Sequence, residues 1–130
     1  MQKSFDDWNH LKKDIHNREN HRFFKQGEIW WINLGVNIGY EADGKGDCYE
    51  RPVLILKKYN QFSFLAVPLT TANKENPYKL SIGKIEDKDS FINTSQLRYV
   101  DSKRLTNKVT TLDKDLFLVI KQKTSQINFG

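Results

Sequence analysis

A chain of 130 residues and 15.3 kDa has room for one core of ordinary domain size. Its 38% hydrophobic and 12% aromatic residues exclude wholesale disorder, while 28% charged residues and a mean hydropathy of -0.69 describe a well-solvated surface. The single cysteine, Cys48, excludes an intramolecular disulfide and a multi-thiolate zinc site, and a net charge of +5 with a pI of about 9.3 directs attention to polyanionic partners.

Phe5, Trp8, Leu11 and Ile15 recur at helical spacing, and Ser4-Phe5-Asp6-Asp7 supplies an N-cap with an acid at N3. Residues 4–22 are therefore predicted to form an amphipathic helix, and residues 1–22 an appendage to a domain spanning 23–130. A strand is predicted at Glu28 to Leu34, with Trp30, Ile32 and Leu34 on one face and Ile29 and Trp31 on the other, so both faces should be covered. Residues 35–50 then hold one lysine against four acids, with glycines at 35, 39, 44 and 46, and read as an acidic, flexible loop. Arg51-Pro52 opens the apolar run Val53 to Leu56, which Lys57-Lys58 closes, and Phe62 to Leu69 gives the next strand across a Tyr59-Asn60-Gln61 turn. Tyr78 to Ile82 and Ser90 to Asn93 alternate as two further strands, joined by a charged turn from Gly83 to Asp89. From Leu112 to Gln126 the period becomes helical, with Leu116, Val119, Ile120 and Lys123 on one stripe, Asp113 as the cap and Asp115 in the first turn. Short strands with turns and one closing helix point to a mainly β fold, a small, strongly bent sheet or barrel of five to six strands; a parallel sheet would need helices between its strands.

Most of the basic excess falls on residues 51–130, which carry fourteen basic against seven acidic groups, and this predicts a cationic surface beside the acidic loop. No apolar stretch is long enough to span a bilayer, and MQKSFDDWNH has no apolar signal region, so a cytoplasmic protein without a membrane partner is expected. Gly39 to Lys45 matches part of a phosphate-binding loop, but Gly46 stands where a magnesium-binding Ser or Thr is needed, and a strand follows instead of a helix. The same stretch fails as a calcium loop, since Cys48 replaces its glycine and Leu54 its bidentate acid. Histidines 10, 16 and 21 all lie in or beside the N-terminal helix, which excludes a histidine acid-base pair in the body of the domain unless that helix folds over it.

Four remaining pieces occur in order: Gly27-Glu28-Ile29-Trp30, Arg51-Pro52-Val53-Leu54, Val67-Pro68-Leu69-Thr70-Thr71, and Gln96 to Leu105 with Arg98 and Asp101 inside it. In these the sequence resembles the MazF/PemK family of toxins, over about Phe24 to Lys123. The resemblance implies an SH3-like barrel of the MazF/CcdB type, a homodimer, and a sequence-specific endoribonuclease that cuts single-stranded RNA without a metal or other cofactor. It also implies a cognate antitoxin that neutralises it, with DNA reached only through an antitoxin complex. The family's catalytic roles fall on Arg51 and Thr70, with Thr71 next. Some relatives place an arginine and an aspartate as an acid-base pair just before the glutamine; here those positions hold Asn93 and Ser95.

RNA carries its own nucleophile, the 2′-hydroxyl, so cleavage needs alignment, proton transfer and stabilisation of charge on the phosphorane. Arg51 offers a planar fork of donors for phosphate oxygens and Thr70 a hydroxyl. A guanidinium holds its protons, so charge stabilisation is its first role, and Glu41 is the acid to test as base. Lys45, Lys57, Lys58, Lys74, Lys79, Gln96 and Arg98 are candidate RNA contacts, against a solvated surface for the lysines. Trp30 aligns with the core, whereas Trp31 is open between core and dimer contact. The rival classes are a gyrase-poisoning protein of CcdB type, similar in fold, and a catalytically inactive protein that binds nucleic acid or antitoxin.

Overall fold

The computed structural model describes residues 23–34, 50–72, 74 and 76–130. The predicted N-terminal helix, its boundary at residue 22 and most of the acidic loop, with Glu41, Lys45 and Cys48, lie outside the described residues.

Seven strands form one antiparallel, strongly curled sheet: β1 (Glu28–Asn33), β2 (Glu50–Asn60), β3 (Ser63–Thr70), β4 (Lys79–Ile85), β5 (Lys88–Asn93), β6 (Arg98–Asp101) and β7 (Leu105–Thr111). Helix α1 (Lys114–Phe129) closes the chain. The order is β4-β5-β3-β2-β1-β7, with β6 also on β3. β3 is shared lengthwise: Ser63 to Ala66 pair with β6, and Leu69 and Thr70 pair with β5. Pro68, which has no N–H to give a ladder, falls in the gap between the two.

The mainly β reading with a closing helix holds, with β6 and β7 added to the five strands read from hydrophobic pattern. β2 runs through Lys57-Lys58 to Asn60, because a bulge between Ile55 and Lys57 buries both Ile55 and Leu56 before Lys57 turns outward. The turn between β4 and β5 is tighter than the Gly83–Asp89 span: Glu86 and Asp87 make it alone, at φ 52° and 66°, the left-handed geometry of a tight hairpin.

Alternation along the strands builds two cores. Phe24, Trp30, Ile32, Val53, Ile55, Phe64, Ala66 and Val100 fill the inside of the curl. Ile29, Leu54, Val67, Leu69, Ile82 and Ile92 face the other way and are covered by Phe117 and Ile120 of α1. Both faces of β1 are thus covered, as its pattern requires. Asp113 caps α1 by accepting from the Asp115 and Leu116 amides, but the buried stripe is Phe117, Ile120 and Thr124 with Leu116 at its edge. Val119 is exposed, because the large Phe117 ring takes the position against Gly27.

Gly27 and Glu28, which open the first strand, both have a mechanical role. Gly27 holds φ 90°, donates to Ile55 O and accepts from the Leu112 amide, tying β1 to both β2 and the start of α1. Glu28 is buried; its Oε1 accepts from Trp30 Nε1 at 2.8 Å and the Lys25 amide at 2.9 Å, and its Oε2 pairs with Lys108 Nζ at 3.2 Å.

Candidate functional site

Three separate segments meet at the open end of the β2–β3 pair. Arg51 lies at the start of β2, opposite Ile32 of β1, and on the same strand face as Val53 of the inner core. Val53 pairs with Pro68, and beyond that pair Arg51 and Thr70 line one cleft of about 310 Å³. Pro68, Leu69, Ala72, Lys74, Asn76, Lys79, Asn93 and Gln96 complete its wall.

Thr70 Oγ1 accepts from the Ala72 amide at 3.1 Å, which fixes the hydroxyl at the strand end and leaves its O–H as a donor toward the cleft. The half-buried Arg51 guanidinium has no ion pair or hydrogen bond among the described residues, so its five donors remain for a ligand. Lys79 Nζ donates to the Ala72 and Lys74 carbonyls, the latter at 2.7 Å, and lies 4.6 Å from the Phe91 ring centroid. It therefore ties the segment after Thr70 to β4 while adding its charge to the rim.

The turn after β5 supplies the remaining wall. Asn93 Oδ1 accepts from the Ser95 amide at 3.3 Å and hydroxyl at 2.8 Å, and the Gln96 amide donates to Asn93 O at 3.1 Å. This compact turn sets Asn93 and Gln96 on the cleft. Beneath it, buried Thr94 donates to Tyr78 O at 2.6 Å and its carbonyl accepts from Asn128 of α1.

Of the residues singled out in the sequence, the cleft thus brings together Arg51, Thr70, Lys74, Lys79 and Gln96. Thr71 faces a neighbouring pocket that shares Thr70 and Leu69 as a wall. Arg98 is half-buried on β6 opposite Ala66 and does not line the cleft. Lys57 and Lys58 lie six and seven strand residues from Arg51, about 20 Å along β2. Lys58 is engaged there with Phe24, donating to its carbonyl at 3.0 Å and lying 4.5 Å from its ring centroid. Asp101 caps the short turn Ser102–Arg104, and Arg104 donates to Asn33 O at 2.9 Å, so this end of the last motif is structural. Trp30 is core, its indole held by Glu28, whereas Trp31 is half-buried on the neighbouring pocket.

Sequence reasoning missed Asn76 and the role of Asn93. Asn76 Oδ1 accepts from the Tyr78 amide at 2.8 Å, an Asx turn that Asn76-Pro77 foreshadows. No cluster of three or more His, Cys, Asp or Glu is placed to hold a metal among the described residues, and no helix there is long and apolar enough to cross a membrane.

The chain is similar to known proteins over this whole region. Residues 25–127 match the family described as PemK-like, MazF-like toxin of type II toxin-antitoxin system. Endoribonuclease EndoA of Bacillus subtilis (strain 168) is 30% identical, the match covering 71% of this chain and 83% of that protein. In structure, MazF from Deinococcus radiodurans superposes with a TM-score of 0.63 at 19% identity, over 82% of this chain and 97% of that one. A mycobacterial endoribonuclease in complex with its cognate antitoxin gives 0.62 at 14% identity, over 83% and 98%.

Proposed function

The chain belongs to the family of PemK-like, MazF-like toxins of type II toxin-antitoxin systems, and from that premise we propose that it is an endoribonuclease that cuts single-stranded RNA at the Arg51–Thr70 cleft, is restrained by a cognate antitoxin, and works as a homodimer in the cytoplasm. The observation that carries the reading is the convergence of Arg51, Thr70, Lys79, Asn93 and Gln96 on one cleft at the ends of different strands. These donors suit a phosphodiester, and among the described residues no carboxylate lines the cleft.

In this mechanism the substrate's 2′-oxygen attacks the adjacent phosphorus and the P–O5′ bond breaks. The 2′-hydroxyl proton passes to a base and O5′ gains a proton, leaving a 2′,3′-cyclic phosphate and a 5′-hydroxyl. The Arg51 fork and the Thr70 hydroxyl stabilise charge growing on the non-bridging oxygens, which is transition-state binding and so acts on kcat. Water attack is not needed, so cleavage proceeds without a metal. Glu41, close before Arg51 in sequence, is our candidate base, and Lys45 a candidate phosphate contact.

The test is to incubate the purified protein with a long single-stranded RNA in EDTA and map the cut ends. Cleavage at a short recurring sequence with cyclic phosphate ends is expected, and Arg51→Ala and Thr70→Ala each lower the rate by about 10²-fold or more while remaining folded. Activity abolished by EDTA and restored by magnesium overturns the metal-free mechanism. Wild-type rates in both variants overturn the site, and intact RNA throughout favours a binding protein.

A further inference from the structure

Among the described residues, α1 covers the outer face of the sheet only in part. Residues directly opposite in an antiparallel pair share a face, and Lys57, Leu65 and Tyr99 form one such rung across β2, β3 and β6. Leu65 stands between Phe64 and Ala66 of the inner core, so the rung points outward. Tyr59, two residues beyond Lys57, joins it there, its ring centroid 6.0 Å from that of Tyr99 at an interplanar angle of 33°. Leu65 is half-buried, whereas Tyr59 is 50% exposed and Tyr99 71%. Two adjacent aromatic rings are thus left open where the outer core, which does not include Leu65, runs out.

The chain enters the fold at this same corner. β1 pairs β2 only from Glu50 to Leu54, so among the described residues no strand lies on that edge of the far half of β2. Residues 24–27 run along it: Gly27 N donates to Ile55 O, and Gln26 Oε1 accepts from the Lys58 amide at 3.0 Å. Phe24 turns inward onto Phe64, ring centroids 5.0 Å apart, and its carbonyl accepts from Lys58 Nζ at 3.0 Å. Phe23 beside it is exposed. Phe24 is therefore pinned to the residue before Tyr59, and the segment that precedes Phe23 starts from the rim of the open face.

That segment carries what the face lacks. Phe5, Trp8, Leu11 and Ile15 form its apolar stripe, and Asp7 and Asp14 flank the stripe, four residues before and three after Leu11. A helix over residues 4–22 is about 28 Å long and about 10 Å wide, enough to cross three strands that together span about 10 Å.

We propose that residues 4–22 of this chain dock as an amphipathic helix on the outer face of β2, β3 and β6, the Phe5–Trp8–Leu11–Ile15 stripe lying on Tyr59, Leu65 and Tyr99 and the acids turning toward Lys57. Aromatic rings of the segment pack edge or face against the two tyrosines, whose hydroxyls stay at the wet margin. Lys57 is exposed and holds no ion pair among the described residues, so its charge is available to Asp7 or Asp14. Tethering favours this occupant, because a segment joined to the rim through Phe23 meets the face at an effective concentration that a separate molecule does not reach. The face lies about 20 Å along β2 from Arg51, so the docked helix fastens the far end of the sheet and leaves the cleft open.

The test is limited trypsin digestion of the full-length protein, following the cuts at Lys12 and Arg18 by mass spectrometry. It compares the wild type, the double variant Tyr59→Ser with Tyr99→Ser, and Trp8→Ser, each checked for folding by circular dichroism. Cutting in the wild type is expected to be at least about 10-fold slower than in either variant and independent of protein concentration, because the protease acts on the undocked population. Tyr99→Ser alone, at the most exposed position of the face, decides the matter where the double variant does not fold. A wild type cut as fast as Trp8→Ser overturns the docking, and a folded tyrosine variant as protected as the wild type overturns its location. Protection that grows with protein concentration gives the face to a second copy. RNA binding lost in the tyrosine variant with an unchanged cutting rate gives it to RNA; either result overturns the proposal.

Discussion

Replacing Glu28 by alanine should be among the most damaging single changes in the described domain. Its Oε1 accepts two hydrogen bonds, from the Trp30 indole at 2.8 Å and the Lys25 amide at 2.9 Å, and the residue is only 6% exposed. Hydrogen bonds to a charged acceptor contribute about 1.5–3 kcal/mol each, and the Trp30 donor, left in the core, finds no water to replace the lost partner. The Lys25 amide is only part-buried and recovers some of its loss. The ion pair with Lys108 weighs less, since that side chain is 45% exposed and solvates freely. The sum is a loss of about 3–5 kcal/mol, a large share of the roughly 5–15 kcal/mol that holds a domain together. Glu28→Gln keeps an acceptor at the Oε1 position and should cost about 1–2 kcal/mol, and Lys108→Met about 1 kcal/mol or less. Urea unfolding followed by tryptophan fluorescence and by circular dichroism measures all three. A loss below about 1 kcal/mol in Glu28→Ala refutes the assignment. Equal losses in Glu28→Ala and Glu28→Gln would mean that charge, not hydrogen-bond acceptance, is what this site uses.

Lys79→Met removes the donor that ties Ala72 O and Lys74 O to β4; because the contact is exposed, stability should fall by about 1 kcal/mol or less, while RNA cleavage falls about 10-fold through a looser Thr70 segment. Kinetics beside thermal melting check the pair, and an unchanged rate would make Lys79 a surface residue only. Asp87→Gly should stabilise the domain by about 0.5–1 kcal/mol, since Asp87 holds φ 66° at a two-residue turn where glycine is unstrained. A destabilised variant in urea would show that the aspartate side chain, not the backbone, sets this turn.

Apolar alternation made most of the fold legible, and it failed where strands carry little of it. β7 reads Leu105-Thr106-Asn107-Lys108-Val109-Thr110-Thr111, with only two apolar residues, four apart. It lies at the end of the strand order, where polar side chains face solvent, and its surviving signal is the run of β-branched threonine and valine. β6 is four residues long with one core residue, Val100, too short for a period to declare itself. The buried helix stripe lies one position from the one the spacing predicts, because Leu116, Phe117, Val119 and Ile120 are all apolar. Only the neighbouring Gly27, by leaving space under the Phe117 ring, decides which of them turns inward.

The candidate site is legible in the sequence as a set of residues but not as an arrangement, and the reason is topological. Arg51, Thr70, Asn93 and Gln96 come from the start of one strand, the end of another and the turn after a third, and they meet because β3 exchanges its partner from β6 to β5 just at Pro68. That exchange opens the sheet at its end and creates a wall on each side of Leu69 and Thr70, hence two pockets that share them. The sequence shows Asn93 and Ser95 only as a departure from an acid-base pair. In the fold Asn93 accepts twice from Ser95 and so builds the turn that brings Gln96 to the cleft. Among the described residues the polar groups of the cleft wall are amides, a hydroxyl and cations. On the proposed mechanism the base comes from outside the described wall, and Glu41→Gln, more than any further change within the cleft, distinguishes a complete active site from a phosphate-binding surface.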